Sequence, residues 1–339
     1  MPGSRQRPHM KRPVWIIILV SMVCLFLIAA YVYPLRSSAP CSFFPSSGCL
    51  TYAEEESTPS RELTDDEIFS RVVVREGHEG RFSVFVHASR EKPVHVSRYF
   101  LGRDIRSDKV VWGKISMVDA ERRLLAHALK DPDNQHFVLL SDSCIPLHNF
   151  DYIYNYLLFT NVSFLDCFLD LGPHGTGRYS EHMLPEVEKE DFRKGSQWFT
   201  MKRQHALIVM ADSLYYKKFK LFCRDVRFLV YLKLASTYWI DPEMTDPGGI
   251  ANWSVTYVDW SERKWHPRSF RAEDVTFELL RNITFIDKSV HLTSDEKNPR
   301  TVTPCMWNGQ RRPCYLFARK FYPETLEKLI NLFSNYTVV

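Results

Sequence analysis

The sequence predicts an α/β domain, a sheet covered by helices, preceded by one transmembrane helix. Three observations carry this. From about residue 81 onward, strand-like and helix-like segments alternate as β, α, β, α, β, the order of a sheet with helical cover. Residues 136–147 (HFVLLSDSCIPL) send four apolar residues, Phe137 to Leu140, into the polar Ser141, Asp142 and Ser143. A short apolar run bounded by turn chemistry reads as a strand buried on both faces. Residues 14–33 are nearly continuously apolar and uncharged, and 20 such residues are about what a helix needs to cross a bilayer.

The flanks of that span set a topology. Arg5, Arg7, Lys11 and Arg12 precede it, whereas Arg36 and then Glu54, Glu55 and Glu56 follow it. The positive-inside rule makes 1–13 a cytosolic tail and 14–33 a signal anchor, with everything later outside the cytosol. A cleaved signal peptide is the alternative, with an unusually long apolar region. Residues 34–60 are rich in Pro, Ser and Glu and read as a lumenal stem. Residues 61–339 are left as the domain. Sequons at Asn161, Asn252, Asn282 and Asn335 all lie beyond the span and favour a secretory-pathway lumen. Of eight cysteines, Cys24 lies in the span. The others would face an oxidising compartment, with Cys41 and Cys49, and Cys305 and Cys314, as plausible local pairs. A net charge of +4 on 339 residues excludes a nucleic-acid partner of the usual basic kind.

Taken in order, the domain begins with a short helix over 64–76, opened by Thr64, Asp65 and Asp66. A strand is expected over 81–88 (RFSVFVHA). Ser116 to Asp119 resembles a capping box, and Met117, Ala120, Leu124 and Ala128 mark one helical face. The opening strand follows, then an amphipathic helix through Phe150, Ile153, Tyr154 and Leu157, then a strand over 162–168. Residues 181–194 read as a charged loop, 196–201 as a strand, 203–219 as a helix, and 314–318 as a strand. Leu326, Leu329, Ile330 and Phe333 mark a last helix.

Asp142 and Ser143 stand where ligands meet open α/β sheets, beyond a strand's carboxyl end. Asp142 could equally just organise the turn. Several blocks together give more. Residues 112–121 (WGKISMVDAE), 137–147, 194–205 (KGSQWFTMKRQH) and 315–321 (YLFARKF) resemble the core-2/I-branching β-1,6-N-acetylglucosaminyltransferases, most of all their plant branch. Residues 173–183 and 246–254 add to the likeness.

The resemblance implies a type II Golgi membrane glycoprotein with a GT-A-like nucleotide-sugar-binding fold. It implies inverting transfer from a UDP-sugar to a glycan or glycoprotein acceptor, with no cofactor and no metal. The residues agree on the last point. Asp142-Ser143-Cys144 offers one carboxylate, and a hard cation wants several oxygen ligands. Fixed cations must then stabilise the departing diphosphate. By resemblance Lys320 is the best such contact. Arg311, Arg312 and Arg319 belong to the same basic cluster, with Arg312 taken as a second donor-side residue because arginine suits phosphate. A solvated basic edge is the plain alternative. His87 resembles the family's nucleotide-side motif. Gly195, Ser196 and Trp198 resemble its acceptor-side segment, although a tryptophan is more often core.

Two departures qualify the resemblance. An inverting transferase needs a base for the acceptor proton, supplied in the relatives by a glutamate in an Asp-Glu motif. The corresponding residues 223–245 contain no such pair and offer only Asp225, Asp241 and Glu243. Upstream, a family strand and helix are missing between Glu76 and Gly77. The catalytic base is therefore unassigned, and little or no turnover is expected. The clean junctions suggest the hypothesis of an altered transcript. Sequencing cDNA across codons 76–77 and 222–246 tests it, and an intact exon encoding no family-like segment there refutes it. The competing readings are a non-catalytic glycan- or partner-binding protein and a truncated splice product.

Overall fold

The structure, a computed structural model, describes residues 78–223 and 249–334 except Arg90, Val96, Arg263 and Trp265. The chain divides into two units, Met1–Arg61 and Glu62–Val339, and every described residue belongs to the second.

The first helix, α1 (Ser116–Ala128), leads into β1 (His136–Val138) and β2 (Ile145–Pro146). Helix α2 (Phe150–Thr160) and β3 (Ser163–Phe164) follow. Strand β4 (Thr200–Lys202) precedes the helix pair α3 (Arg203–Ala211) and α4 (Leu214–Phe222). Past the undescribed stretch come β5 (Ile250–Ala251), β6 (Thr256–Val258) and α5 (Phe277–Thr284). The chain then forms β7 (Lys288–Leu292), β8 (Arg300–Pro304), β9 (Met306–Trp307), β10 (Gln310–Arg311), β11 (Phe317–Arg319) and α6 (Leu326–Ser334).

The expected GT-A-like sheet covered by helices is not formed. The described strands fall into four small sheets: β1-β4-β3-β5, β2-β11-β6, and the hairpins β7-β8 and β9-β10. Only β3 with β5 and β6 with β11 run parallel. The strands are short because side chains take backbone groups that a longer ladder would use. Ser163 Oγ accepts the Lys202 N–H at 3.0 Å. Asp166 Oδ2 accepts that of Ser196 at 2.8 Å, and Ser254 Oγ that of Thr256 at 3.1 Å. Among the described residues no helix is long and apolar enough to cross a membrane. The expected span at 14–33 and the helix at 64–76 lie outside the described residues.

Local expectations change for local reasons. Among the described residues the first strand of the opening motif is an edge, paired to β4 alone. Phe137 is buried, but Val138 is 37% and Leu140 45% exposed, so it is buried on one face only. Residues 81–88 make a single bridge, Val86 to Asp104, rather than a strand. Ser116 does not cap α1. Its hydroxyl accepts the Val111 N–H at 2.9 Å, and Ile115 precedes the helix without a side-chain bond. The single helix over 203–219 breaks at Asp212, whose buried carboxylate accepts the N–H groups of Leu214, Tyr215 and Tyr216, each at 3.0 Å. It thereby caps α4. Asn149 caps α2 as a first-turn acceptor, bonding Tyr152 N–H at 2.8 Å.

The main core lies between α1, α3, α4 and the four-stranded sheet, built on Val118, Leu125, Phe137, Phe199, Met201 and Phe219. The Cys305–Cys314 disulfide closes the β9–β10 hairpin. Cys144 forms no disulfide among the described residues, and Cys41 and Cys49 lie outside them.

Candidate functional site

The three-stranded sheet brings β2 and β11 together, whose paired residues Ile145 and Ala318 are 173 positions apart in sequence. Strand β2 pairs antiparallel with β11, Ile145 opposite Ala318. Just beyond, the Phe321 N–H donates to the Ser143 carbonyl at 3.0 Å. Lys320 is thus held against the Ser141–Cys144 turn. That turn is closed by Cys144 N–H to Ser141 carbonyl at 3.1 Å and tightened by the Ser141 and Ser143 hydroxyls, also 3.1 Å apart. Ser143 is buried, whereas Asp142 is exposed. On the other side of β11, parallel β6 sets Val258 beside Arg319. Phe270 N–H donates to the Lys320 carbonyl at 2.7 Å.

A cavity of about 630 Å³ opens nearby, walled by Arg268, Arg271, His266, Lys264 and Tyr322 among others. Tyr322 lies two residues beyond Lys320. Within this cavity Arg268 pairs with Asp274 at 2.9 Å, and Lys264 with Glu262 at 2.7 Å.

Arg319 and Trp198 join the donor and acceptor expectations. The guanidinium lies 4.1 Å from the centre of the Trp198 ring. Burial pulls its pKa down, opposed by the nearby Cys144 and Asp142. Trp198 is buried, with one ring face covered by this cation. Its carbonyl accepts the Ser254 hydroxyl at 2.7 Å.

The preceding residues are pinned from below. A side chain at Gly195 would meet the Asp166 carbonyl oxygen at 2.0 Å, so only glycine allows this close approach. Asp166, which accepts Ser196 N–H, also holds His291 Nε2 at 2.6 Å. Next in sequence, Gln197 donates to Glu121 at 3.1 Å. Burial pushes the Glu121 carboxyl up to about 8, and among the described residues its Oε2 has no hydrogen-bond partner.

Other expected site residues lie apart from this cluster in their bonding. His87 faces Arg123 of α1 at 3.2 Å, and Arg123 in turn pairs with Asp108. Burial and the Arg123 charge lower the His87 pKa. Arg312 donates its backbone N–H to the Cys305 carbonyl and its side chain to Gln310. Its charge acts on the phenols of Tyr152 and Tyr156 in α2. Asn161 ends α2 in a left-handed turn, φ 49°, and is exposed, as are Asn252 and Asn282. Asn335, Asp225, Asp241 and Glu243 lie outside the described residues. Among the described residues no cluster of three or more His, Cys, Asp or Glu is placed to hold a metal ion.

Sequence reasoning missed Glu121 and Asp166. The signal for Glu121 was available: it follows Met117 and Ala120 on the helix face marked as apolar. Asp166 was visible only as a charge inside an apolar stretch.

Comparison with known proteins agrees with the resemblance carried by these segments. The family model described as Core-2/I-Branching enzyme matches residues 63–284. Glycosyltransferase BC10 of Oryza sativa subsp. japonica is 35% identical over 289 residues, covering 75% of this chain and 70% of the rice protein. With a match over more than half of its length and a relative this similar, the chain belongs to the core-2/I-branching enzyme family of glycosyltransferases.

Proposed function

We propose that the edge formed by Ser143, Lys320 and Arg319 receives a UDP-sugar, and that the chemistry it serves is inverting, metal-independent transfer to a glycan hydroxyl, of the β-1,6-N-acetylglucosaminyl type. The observation that carries this reading is the convergence of the Ser141–Cys144 turn with Lys320 through the Phe321–Ser143 hydrogen bond. In such a reaction the acceptor oxygen bonds to the anomeric carbon while the bond to the diphosphate oxygen breaks. Negative charge grows on the diphosphate, and fixed cations at this edge stabilise it. The acceptor proton must go to a base. The sequence from 223 to 245 lacks the Asp-Glu pair that would supply it. We therefore infer a chain that keeps donor binding and transfers little.

The natural setting of this chemistry is the Golgi lumen. The Cys305–Cys314 bond and the sequons at Asn161, Asn252, Asn282 and Asn335 support an oxidising, glycosylating compartment. The acceptor would then be a glycan or glycoprotein.

The test uses the full chain. UDP titration by calorimetry, with and without EDTA, is paired with transfer assays from UDP-N-acetylglucosamine to branched glycans. The expected result is UDP binding indifferent to EDTA, with transfer at background. Robust transfer would sink the low-turnover reading, and absence of UDP binding would sink the donor site. The missing Asp-Glu pair favours one second reading, glycan binding without transfer. Retention of glycans on an array together with background transfer would select it.

A further inference from the structure

Residues 194–197 lead into Trp198 and are only partly buried, yet two buried aspartates hold them. Asp166 and Asp170, on the segment after β3, are 8% and 1% exposed. Each carboxylate joins the same two parts of the chain. Asp166 Oδ2 accepts the Ser196 N–H at 2.8 Å, while its Oδ1 faces His291 Nε2 of β7 at 2.6 Å. Asp170 Oδ2 accepts from Lys194 Nζ at 3.0 Å, while both its oxygens accept the Ser294 N–H, just past β7, at 3.1 and 3.0 Å. Between them the Phe168 N–H donates to the Lys194 carbonyl at 2.7 Å, and the Lys194 N–H to the Phe168 carbonyl at 2.9 Å. The Phe168 ring stacks on His291 with centroids 4.3 Å apart, and the Lys194 ammonium lies 5.6 Å from its centre. Residues 166–170 are thus a spine to which residues 194–196 and the end of β7 are both tied.

A buried carboxylate is unfavourable unless ion pairs and hydrogen bonds compensate, and its net gain over apolar packing is small or negative. Burial would raise the Asp170 pKa, but the bonds from Ser294, Lys194 and Gly172 hold it below the usual carboxylate value, so the charge is kept. What these groups supply is geometry. The backbone bonds between Phe168 and Lys194 already hold the strap to the spine. The carboxylates add a link to β7, 125 residues from Asp166. Gly195 shows how closely the strap sits, since a Cβ there would meet the Asp166 carbonyl oxygen at 2.0 Å.

We propose that Asp166 and Asp170 are positioning residues for the acceptor glycan: by tying residues 194–196 to β7 they fix the place at which Gly195 and Ser196 meet the sugar. This rests on the acceptor-side reading of Gly195, Ser196 and Trp198 and extends it. Neither aspartate touches the glycan. They act through Ser196 and Lys194, so their loss weakens glycan binding and leaves UDP binding, made at Ser143 and Lys320, as it was.

The test uses the full chain and its Asp166→Ala, Asp166→Asn and Asp170→Asn variants, each checked for folding by circular dichroism and thermal midpoint. Wild type is screened on immobilised oligosaccharides ending in galactose, N-acetylgalactosamine or N-acetylglucosamine. The best-retained one and UDP are then titrated separately. Asp166→Ala should weaken the glycan at least tenfold and UDP less than twofold. Asp166→Asn should recover most of the loss, because its amide oxygen still accepts the Ser196 N–H. Asp170→Asn should weaken the glycan a few-fold, because Lys194 loses its charged partner. If wild type retains a glycan and a folded Asp166→Ala binds it equally, the positioning role is overturned and the acceptor reading stands. Parallel losses of glycan and UDP would show a general structural role and overturn it too. If Asp166→Ala does not fold, Asp170→Asn decides, and unchanged glycan affinity there overturns the proposal. If wild type retains no glycan, the acceptor reading and this one fall together.

Discussion

Arg203 and Arg319 are both partly buried, and they are treated in opposite ways. Arg203, opening α3, donates to the carbonyls of Asp131 at 2.8 Å, Asn134 at 3.1 Å and Leu129 at 3.0 Å. These carbonyls lie in the loop just past α1, outside any ladder, so they need a donor from elsewhere in the chain. Arg122 does the same for Val209, Met210 and Asp212 at the end of α3. Among the described residues Arg319 reaches no carbonyl, and its guanidinium lies over an aromatic ring instead. A guanidinium whose donors end on backbone oxygen is a part of the fold. One whose donors end nowhere, beside a lysine and a turn of hydroxyls, is arranged for something else.

The largest expected effect breaks the comparison if it fails. Arg203→Ala leaves three carbonyls without their donor and should cost about 3 kcal/mol, since each such hydrogen bond is worth ~1 kcal/mol. The thermal midpoint should fall by roughly 10 °C for a domain of this size. Arg319→Ala should cost less than ~1 kcal/mol, because it breaks no hydrogen bond. Thermal denaturation of both variants decides. Equal losses would mean that Arg319 is as structural as Arg203.

What was legible in the sequence follows the same division. The turn at Asp142 and Ser143, the Lys320 segment and the Gly195–Trp198 segment could be read because each is a contiguous block. Their meeting could not, because it is made by the β2–β11 pairing and by one backbone bond from Phe321 to Ser143. The unbroken sheet was over-read. Apolar runs do not reveal that Ser163, Asp166 and Ser254 divert the neighbouring N–H groups. The break at Asp212 is of the same kind, an acidic residue inside an apparently continuous helical period. Helix α5 does carry a local signal, Thr276, which caps it through the Leu279 N–H at 3.1 Å.

Glu121 sharpens the comparison from the acidic side, as a buried group whose second oxygen has no partner among the described residues. Its pKa rises from 4.5 to about 8 through burial, partly offset by the Gln197 hydrogen bond. Below about pH 4.5 the carboxyl is protonated in folded and unfolded chains alike, and its neutral form is tolerated. As pH rises, the unfolded chain ionises first and gains stability relative to the folded one. The stability is therefore lost between about pH 4.5 and 8. Glu121→Gln removes the ionisation and keeps an oxygen for Gln197. It should stabilise the protein by on the order of 2 kcal/mol at pH 8 and by almost nothing at pH 4. Denaturant titrations at the two pH values test this, and a gain independent of pH would refute it.

Asp142 gives the smallest and most discriminating effect. It is exposed, so Asp142→Asn should leave the thermal midpoint unchanged within error. Its charge nevertheless reaches Arg319. A diphosphate arriving at Arg319 meets that negative charge, and in water-exposed surroundings such an interaction is worth only a few tenths of a kcal/mol. Asp142→Asn should therefore strengthen UDP binding about two- to threefold at low ionic strength. The gain should shrink toward nothing at 1 M salt, where the screening length falls to about 3 Å. Weaker UDP binding in Asp142→Asn would instead restore the sequence expectation that this carboxylate touches the donor itself. A hydroxyl bonded to a carboxylate would lose its charged acceptor, and the loss would persist at high salt because a short hydrogen bond is little screened.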